Sequence, residues 1–205
     1  MSNRGTQSIS PTRNRILEVA ARVLALRGYH DTNIDEVVNK SGTSKGGFYF
    51  HFPSKERMII ALVEEISEKL NKKILIAMAN QDLPQERLST ALDALFLAFA
   101  KQRKLAQILL VNITGHGRSM DKKFLPIRNK FVTLIKQELD GAVNTNLIRP
   151  TNTTVAAQVW LGGLYEVIFH WLMSETPSSI EEVIPQTKAM LFNSIGIPHG
   201  QLGKS

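Results

Sequence analysis

The sequence predicts an all-α protein in two parts, an amino-terminal group of three helices followed by a larger helical region. Three observations lead there. Apolar residues recur with a 3.6-residue period from Ile16 to Ile195, the spacing of helices with one buried face. No cysteine occurs in 205 residues, which excludes a disulfide scaffold, a Cys-ligated zinc site and a thiol nucleophile. The net charge of +7 is also uneven: residues 1–57 hold nine Lys/Arg against five Asp/Glu, more than half of the excess. Such a balance favours a polyanionic partner, nucleic acid or an anionic membrane surface.

Length and composition bound the rest. A chain of 205 residues fits a small domain joined to a larger one and buries a sizeable core without staples. A hydrophobic content of 43% argues against disorder. The start, MSNRGTQSIS, is polar and has no apolar signal-peptide core. The densest apolar run, Trp160 to Met173, contains Glu166 and His170 and falls short of the roughly 20 residues that span a bilayer. The expectation is a cytoplasmic protein that does not enter a membrane.

The first helix is expected over Thr12 to Arg27. Ile16, Leu17, Ala20, Val23 and Leu24 share one face, Ser10 and Pro11 suit its start, and Gly28 suits a left-handed end. The second begins at Thr32, taken as its N-cap with Asp35 three residues on, buries Ile34, Val37 and Val38, and stops at Ser41-Gly42. The segment Thr43 to Phe52 has two adjacent glycines, each costing about 1 kcal/mol in a helix interior, and its aromatics also suit a strand. Its neighbours favour a short helix, with Phe48, Phe50 and Phe52 read as core. Ser54 caps a long helix to about Asn80, striped by Ile59, Leu62, Val63, Ile66, Leu70 and Ile74. Pro84 opens a helix with Leu88, Leu92, Leu95, Phe96 and Phe99. A shorter one with Leu105, Ile108, Leu109 and Ile113 breaks at Gly115-His116-Gly117. Phe124, Phe131, Leu134, Ile135 and Leu139 mark a helix to about Thr145, and Thr153 to Met173 is the most apolar. Ser179 and Glu182 form a capping box before the last helix, which Pro185 either kinks or delays.

Two short helices joined at a Gly-containing turn and preceded by an amphipathic helix make a helix-turn-helix pattern. Its second helix must enter a major groove about 12 Å wide, leading with small residues and carrying donors outward. Lys45, Gly46 and Gly47 supply that end, while Tyr49, His51 and Lys55 add further donors. The strings Gly28-Tyr29-His30-Asp31-Thr32-Asn33-Ile34-Asp35-Glu36-Val37-Val38 and Ser41-Gly42-Thr43-Ser44-Lys45-Gly46-Gly47-Phe48-Tyr49-Phe50-His51-Phe52-Pro53-Ser54-Lys55-Glu56 resemble the DNA-binding domain of TetR-family repressors.

The resemblance implies a helix-turn-helix DNA-binding domain over residues 1–56 and a helical ligand-binding and dimerisation domain over residues 57–205. It implies that Thr32 caps the second helix and binds a phosphate, that Thr43, Ser44, Lys45 and Gly46 lie at the major groove, and that Tyr49, His51 and Lys55 contact the DNA backbone. Gly47 departs from the bulkier residue often found there, which shifts base readout toward Lys45. The function implied is ligand-responsive transcription regulation, by default repression. A homodimer would bind palindromic double-stranded operator DNA and be released by a small, largely apolar or aromatic effector. Fatty acyl thioesters and cationic drugs both suit such a pocket.

Residue patterns in the larger part agree with those roles. A helix as apolar on most sides as residues 153–173 needs burial all round, and a second copy is a natural cover. Val155, Val159, Gly162, Gly163 and Val167 give that helix a small-residue face that another helix can approach closely, and the expected dimer interface is Trp160, Gly163, Leu164, Val167 and Trp171 with Thr187, Met190 and Leu191. The expected ligand contacts are Phe99, Leu109, Asn112, His116, Phe131, Tyr165, Phe169 and His170. Glu166 and His170, at i and i+4, suit a surface pair, a metal or a gate for a cationic ligand, and no third residue is spaced to close a metal site. Neither a metal nor another cofactor is expected.

Two other function classes compete with this reading. An enzyme is disfavoured: there is no G-x-S-x-G, P-loop, strand-linked G-x-G-x-x-G or H-E-x-x-H. The alternative is a helical membrane-surface or adaptor protein using the basic amino terminus, which predicts lipid binding and no DNA footprint.

Overall fold

The structure, a computed structural model, describes residues 10–111, 118–175 and 179–197. It is all-α, with no strand among the described residues, and divides into two compact units, residues 1–65 and 66–205.

In the first unit α1 (Pro11–Asp31) buries Ile16, Leu17, Val19, Ala20, Val23 and Leu24. It runs past the expected end at Arg27 but kinks at Gly28, whose φ of 75° is the positive value anticipated there. The kink carries the Gly28 carbonyl back to Thr32, whose hydroxyl donates to it at 2.6 Å. Thr32 is therefore buried and is not the cap of α2 (Ile34–Ser41); Asn33 is, its Oδ1 accepting the Asp35 N–H at 2.8 Å. At the other end Gly42 sits at φ 62°, ψ 30°, the left-handed cap that a side chain would strain.

The segment after that turn is a helix, α3 (Lys45–His51), capped by Ser44 Oγ on the Gly47 N–H at 3.0 Å. Phe48 and Phe52 are buried, but Phe50 is 85% exposed, a correction to the core reading. Helical period explains it: positions 48 and 52 share a face and position 50 points away. Gly47 also has a local reason, because a Cβ there would lie 2.8 Å from Thr43 Oγ1 and 3.2 Å from Ser44 Oγ.

The remaining elements are α4 (Lys55–Met78), α5 (Pro84–Lys101), α6 (Arg103–Val111), α7 (Arg118–Asn144), α8 (Thr153–Met173) and α9 (Ile180–Ser194). Ser54 caps α4 through the Arg57 N–H at 3.2 Å. In the second unit α5 packs on α7 and α9, and α8 packs on α6 and α7. Arg103 closes the end of α8, its Nη2 donating to the carbonyls of Trp171, Leu172 and Ser174 at 3.1, 2.7 and 3.3 Å. That cation sits where the helix dipole is negative, with its guanidinium 4.8 Å from the Trp171 ring.

Two expectations for α9 change. Ser179 does not form a capping box, since its hydroxyl donates to Glu181 instead of capping the helix backbone. Pro185 lies inside the helix, so it does not delay its start.

Candidate functional site

The first site is the outward face of α3. Lys45, Gly46, Tyr49 and Phe50 are exposed there, with Ser44 at the leading end and Thr43 half-buried. Buried Phe48 orients this face, meeting Tyr49 edge-to-face at 5.3 Å and Phe52 at 5.9 Å. Lys45 Nζ lies 2.9 Å from Asp35 Oδ1, an exposed pair joining α2 to α3. The hydrogen bond to that carboxylate holds the Lys45 ammonium above its usual range. Asp35 therefore steers Lys45 and competes with any phosphate for it.

Other expected DNA contacts are placed differently. Thr32 is buried with its hydroxyl donating to the Gly28 carbonyl, so its side chain is engaged within the unit. Lys55 Nζ donates to the His30 carbonyl at 2.9 Å and sits 5.1 Å from the Tyr29 ring. Burial pushes the Lys55 ammonium below its usual range. It ties the start of α4 to the end of α1. His51 is half-buried, packed beside Phe50 at 5.2 Å.

The second site is a cavity of about 130 Å³ in the second unit. Residues from α4, α5, α7 and α8 form most of its wall, among them Leu70, Ile74, Leu92, Phe99, Phe131, Ile135, Leu164 and Ile168. Against this apolar lining stand Ser67, Arg128, Glu138 and Tyr165. Tyr165 donates its hydroxyl to the Leu110 carbonyl at 3.3 Å. Glu138 is held by Arg87 through two bonds, Nε to Oε2 at 2.8 Å and Nη2 to Oε1 at 3.0 Å. The bonded carboxylate holds the Arg87 guanidinium above its usual range. Arg87 Nη1 also donates to the Met78 and Gln81 carbonyls at 3.2 and 3.3 Å.

Of the expected ligand contacts, Phe99, Phe131 and Tyr165 line this cavity. Asn112, His116 and the Leu109 side chain lie outside the described residues. Phe169 and His170 do not line this cavity, which α8 borders through residues 160, 161, 164, 165 and 168. Phe169 stacks on Tyr165, ring centres 5.8 Å apart, and exposed His170 pairs with Glu166 at 2.9 Å. Ser67, Arg87, Arg128 and Glu138 were missed. Ser67 does interrupt the apolar stripe of its helix, a signal available in the sequence; Arg87 and Glu138 are 51 residues apart and share no pattern.

The expected dimer residues also separate. Trp160, Leu164, Thr187 and Leu191 are buried in the chain's own core, leaving them almost no surface for a second copy; this corrects their expected role. Trp160 donates Nε1–H to Ser194 Oγ at 3.1 Å and meets Phe192 edge-to-face at 5.6 Å. Val167 and Trp171 are half-buried. Gly163 and Met190 are exposed, as are Val155, Val159, Gly162 and Met173. An added Cβ at Gly162 or Gly163 would meet nothing within 4 Å, so this ridge of α8 is open to close approach.

Comparison with known proteins places this geometry. The family of bacterial regulatory proteins named tetR matches residues 16–62, and the YsiA-like carboxy-terminal region matches residues 54–194. The regulator LmrA of Bacillus subtilis is 34% identical over 94 residues, 45% of this chain and 50% of that protein, so this match spans about half of the relative. The fatty acid metabolism regulator of the same organism is 20% identical over 80% of this chain and 86% of its own. The fold is that of the fatty acid degradation regulator FadR from Bacillus halodurans, with a TM-score of 0.81 at 22% identity, covering 89% of this chain and 95% of that one. FadR from Bacillus subtilis, in complex with stearoyl-CoA, gives 0.81 at 18% identity over 87% and 96%. AibR, in complex with isovaleryl coenzyme A and operator DNA, gives 0.69 at 25% identity over 88% and 98%.

Proposed function

The chain belongs to the tetR family of bacterial transcription regulators, and from that premise we propose that it is a repressor released from its operator by an acyl thioester. The apolar cavity with a few polar side chains carries this reading, because such a site selects an alkyl-bearing ligand and fixes its head by few contacts. Neighbours of the same fold in complex with acyl coenzyme A thioesters support it. Residues 1–56 read DNA and residues 57–205 sense and dimerise. Two copies meet along the open ridge of α8, Val155, Val159, Gly162 and Gly163, together with Met190 of α9. Two-fold symmetry then matches a palindromic operator.

On the reading helix Lys45 and Tyr49 are the principal DNA donors, with Ser44 and Gly46 at the groove mouth. Ligand acts by population shift, binding better to the state with lower operator affinity, so operator must weaken ligand binding by the same factor. Double-stranded fragments from upstream of the gene, with and without acyl coenzyme A, test the reading by gel shift. Retardation that the thioester relieves supports it; retardation that no thioester changes overturns the effector, and none at all overturns the operator. Lys45→Ala with Tyr49→Ala is expected to weaken operator binding at least tenfold with the fold intact by circular dichroism. Lys55→Ala, by contrast, is expected to lower thermal stability, because its ammonium ties α1 to α4. A pair of Lys45 and Tyr49 variants that bind at full strength excludes α3 as the reading helix.

A further inference from the structure

We propose that the cavity is a polarised channel. The head of an anionic amphiphile is held at the Ser67–Arg128 end, and its alkyl tail runs toward Met78, where the Arg87–Glu138 pair stands and the tail length is limited. The proposal rests on the acyl reading above and adds orientation and a length limit to it.

The first observation is Ser67. It is 2% exposed, it lines the cavity, and its Oγ has no hydrogen-bond partner among the described residues. A buried hydroxyl without a partner is unfavourable, and a helical serine has a carbonyl four residues back to use if nothing else claims it. A ligand oxygen in the channel supplies the missing acceptor.

The second is the contrast between two arginines. Arg87 is held by four hydrogen bonds, two to Glu138 and two to backbone carbonyls. Arg128 also lines the cavity, yet it is exposed, no carboxylate pairs with it among the described residues, and its guanidinium lies 5.9 Å from the Tyr165 ring. One end of the channel has its charge satisfied; the other offers a cation.

Helix register puts these features at opposite ends. Glu68 of α4 pairs with Lys130 of α7 at 3.2 Å, so Ser67 lies level with the Arg128 turn. Arg87 joins the Met78 carbonyl to Glu138, so Met78 lies level with the Glu138 turn. Ser67 to Met78 along α4 is about 16 Å at a rise of 1.5 Å per residue. Ser67, Leu70, Ile74 and Met78 all line the cavity, so it follows one face of α4 over that length. Free fatty carboxylates and acyl coenzyme A thioesters share this chemistry of an anionic head and an alkyl tail.

The test is calorimetric titration of the full chain with two series, saturated acyl coenzyme A thioesters from butyryl to palmitoyl and the matching free carboxylates. Affinity should climb with tail length to an optimum and then fall, and the series that binds identifies the head. Met78→Ala should move the optimum to tails about two to three carbons longer, the reach of the side chain removed. Leu88→Phe, which fills the same end, should move it shorter, and this second variant decides the matter if the first does not fold. Ser67→Ala should weaken every tail length about tenfold with the optimum unmoved, and Arg128→Gln should weaken binding most at low salt. A length profile that is flat, or that neither end-wall variant moves, overturns the channel and leaves the acyl reading standing. Failure of both series to bind overturns both.

Discussion

Arg87→Met lowers stability by about 3 kcal/mol, the low end of the range for breaking a buried ion pair. The low end applies because the Arg87 side chain keeps 30% of its surface in water, whereas Glu138 keeps only 12%. The loss has two sources. Glu138 is left charged in a mostly apolar wall, and the Met78 and Gln81 carbonyls lose the donor that closes the end of α4 onto α5. The pair itself is not worth 3 kcal/mol, because both ions were desolvated to make it. Adding Glu138→Met to Arg87→Met should therefore recover most of the loss, since well-packed apolar groups replace a buried pair at little cost. Urea unfolding of the two single variants and the double variant measures this as a cycle. A double variant as unstable as the sum of the singles would show that the two residues do not act as a pair.

Nothing in the sequence announces Arg87 and Glu138, and the reason is general to the site. Periodicity reports which face of a helix is apolar, and that fixed α1, α4, α5, α7 and α8 closely. It does not report which residues of two distant helices meet. The polar atoms that give the cavity its character are isolated residues in apolar stripes, so only the fold assembles them. Phe48, Phe50 and Phe52 show a different limit. Alternate spacing is the period of a strand, and reading all three as core inside a helix conflicts with the 100° turn per residue. Thr32 shows a third: Thr32 and Asn33 are both good caps, and only the path of the chain at Gly28 decides between them.

The most apolar helix marks the same boundary between amount and direction. Composition alone says that α8 must be covered. The structure divides the cover: Trp160, Leu164, Ile168 and Leu172, four apart, turn into the core, while Val155, Val159, Gly162 and Gly163 remain open. Large side chains went to the chain's own interior and small ones to the ridge proposed for the partner. The small-residue face is legible in the sequence; what the sequence does not show is that Trp160 and Leu164, expected beside it at the interface, turn into the chain's own core.

Phe48→Ala should remove operator binding more completely than any change to a residue that faces DNA. α3 has seven residues, two of them glycine, and a helix that short does not persist without tertiary support. Its support is Phe48, wholly buried, with Phe52 one turn on. Truncating such a phenyl ring costs about 3–5 kcal/mol, a large share of the stability available to a small helical unit. Lys45, Gly46 and Tyr49 would then lose their common orientation together. Phe50→Ala is the control, because an exposed side chain changes stability by only about 0.5 kcal/mol or less. Amide exchange over residues 34–52 separates the cases: protection should collapse in Phe48→Ala and persist in Phe50→Ala. Native protection in the Phe48 variant would mean that the turn, locked by Gly42 at positive φ and by the Ser44 cap, holds the reading helix without its buried ring.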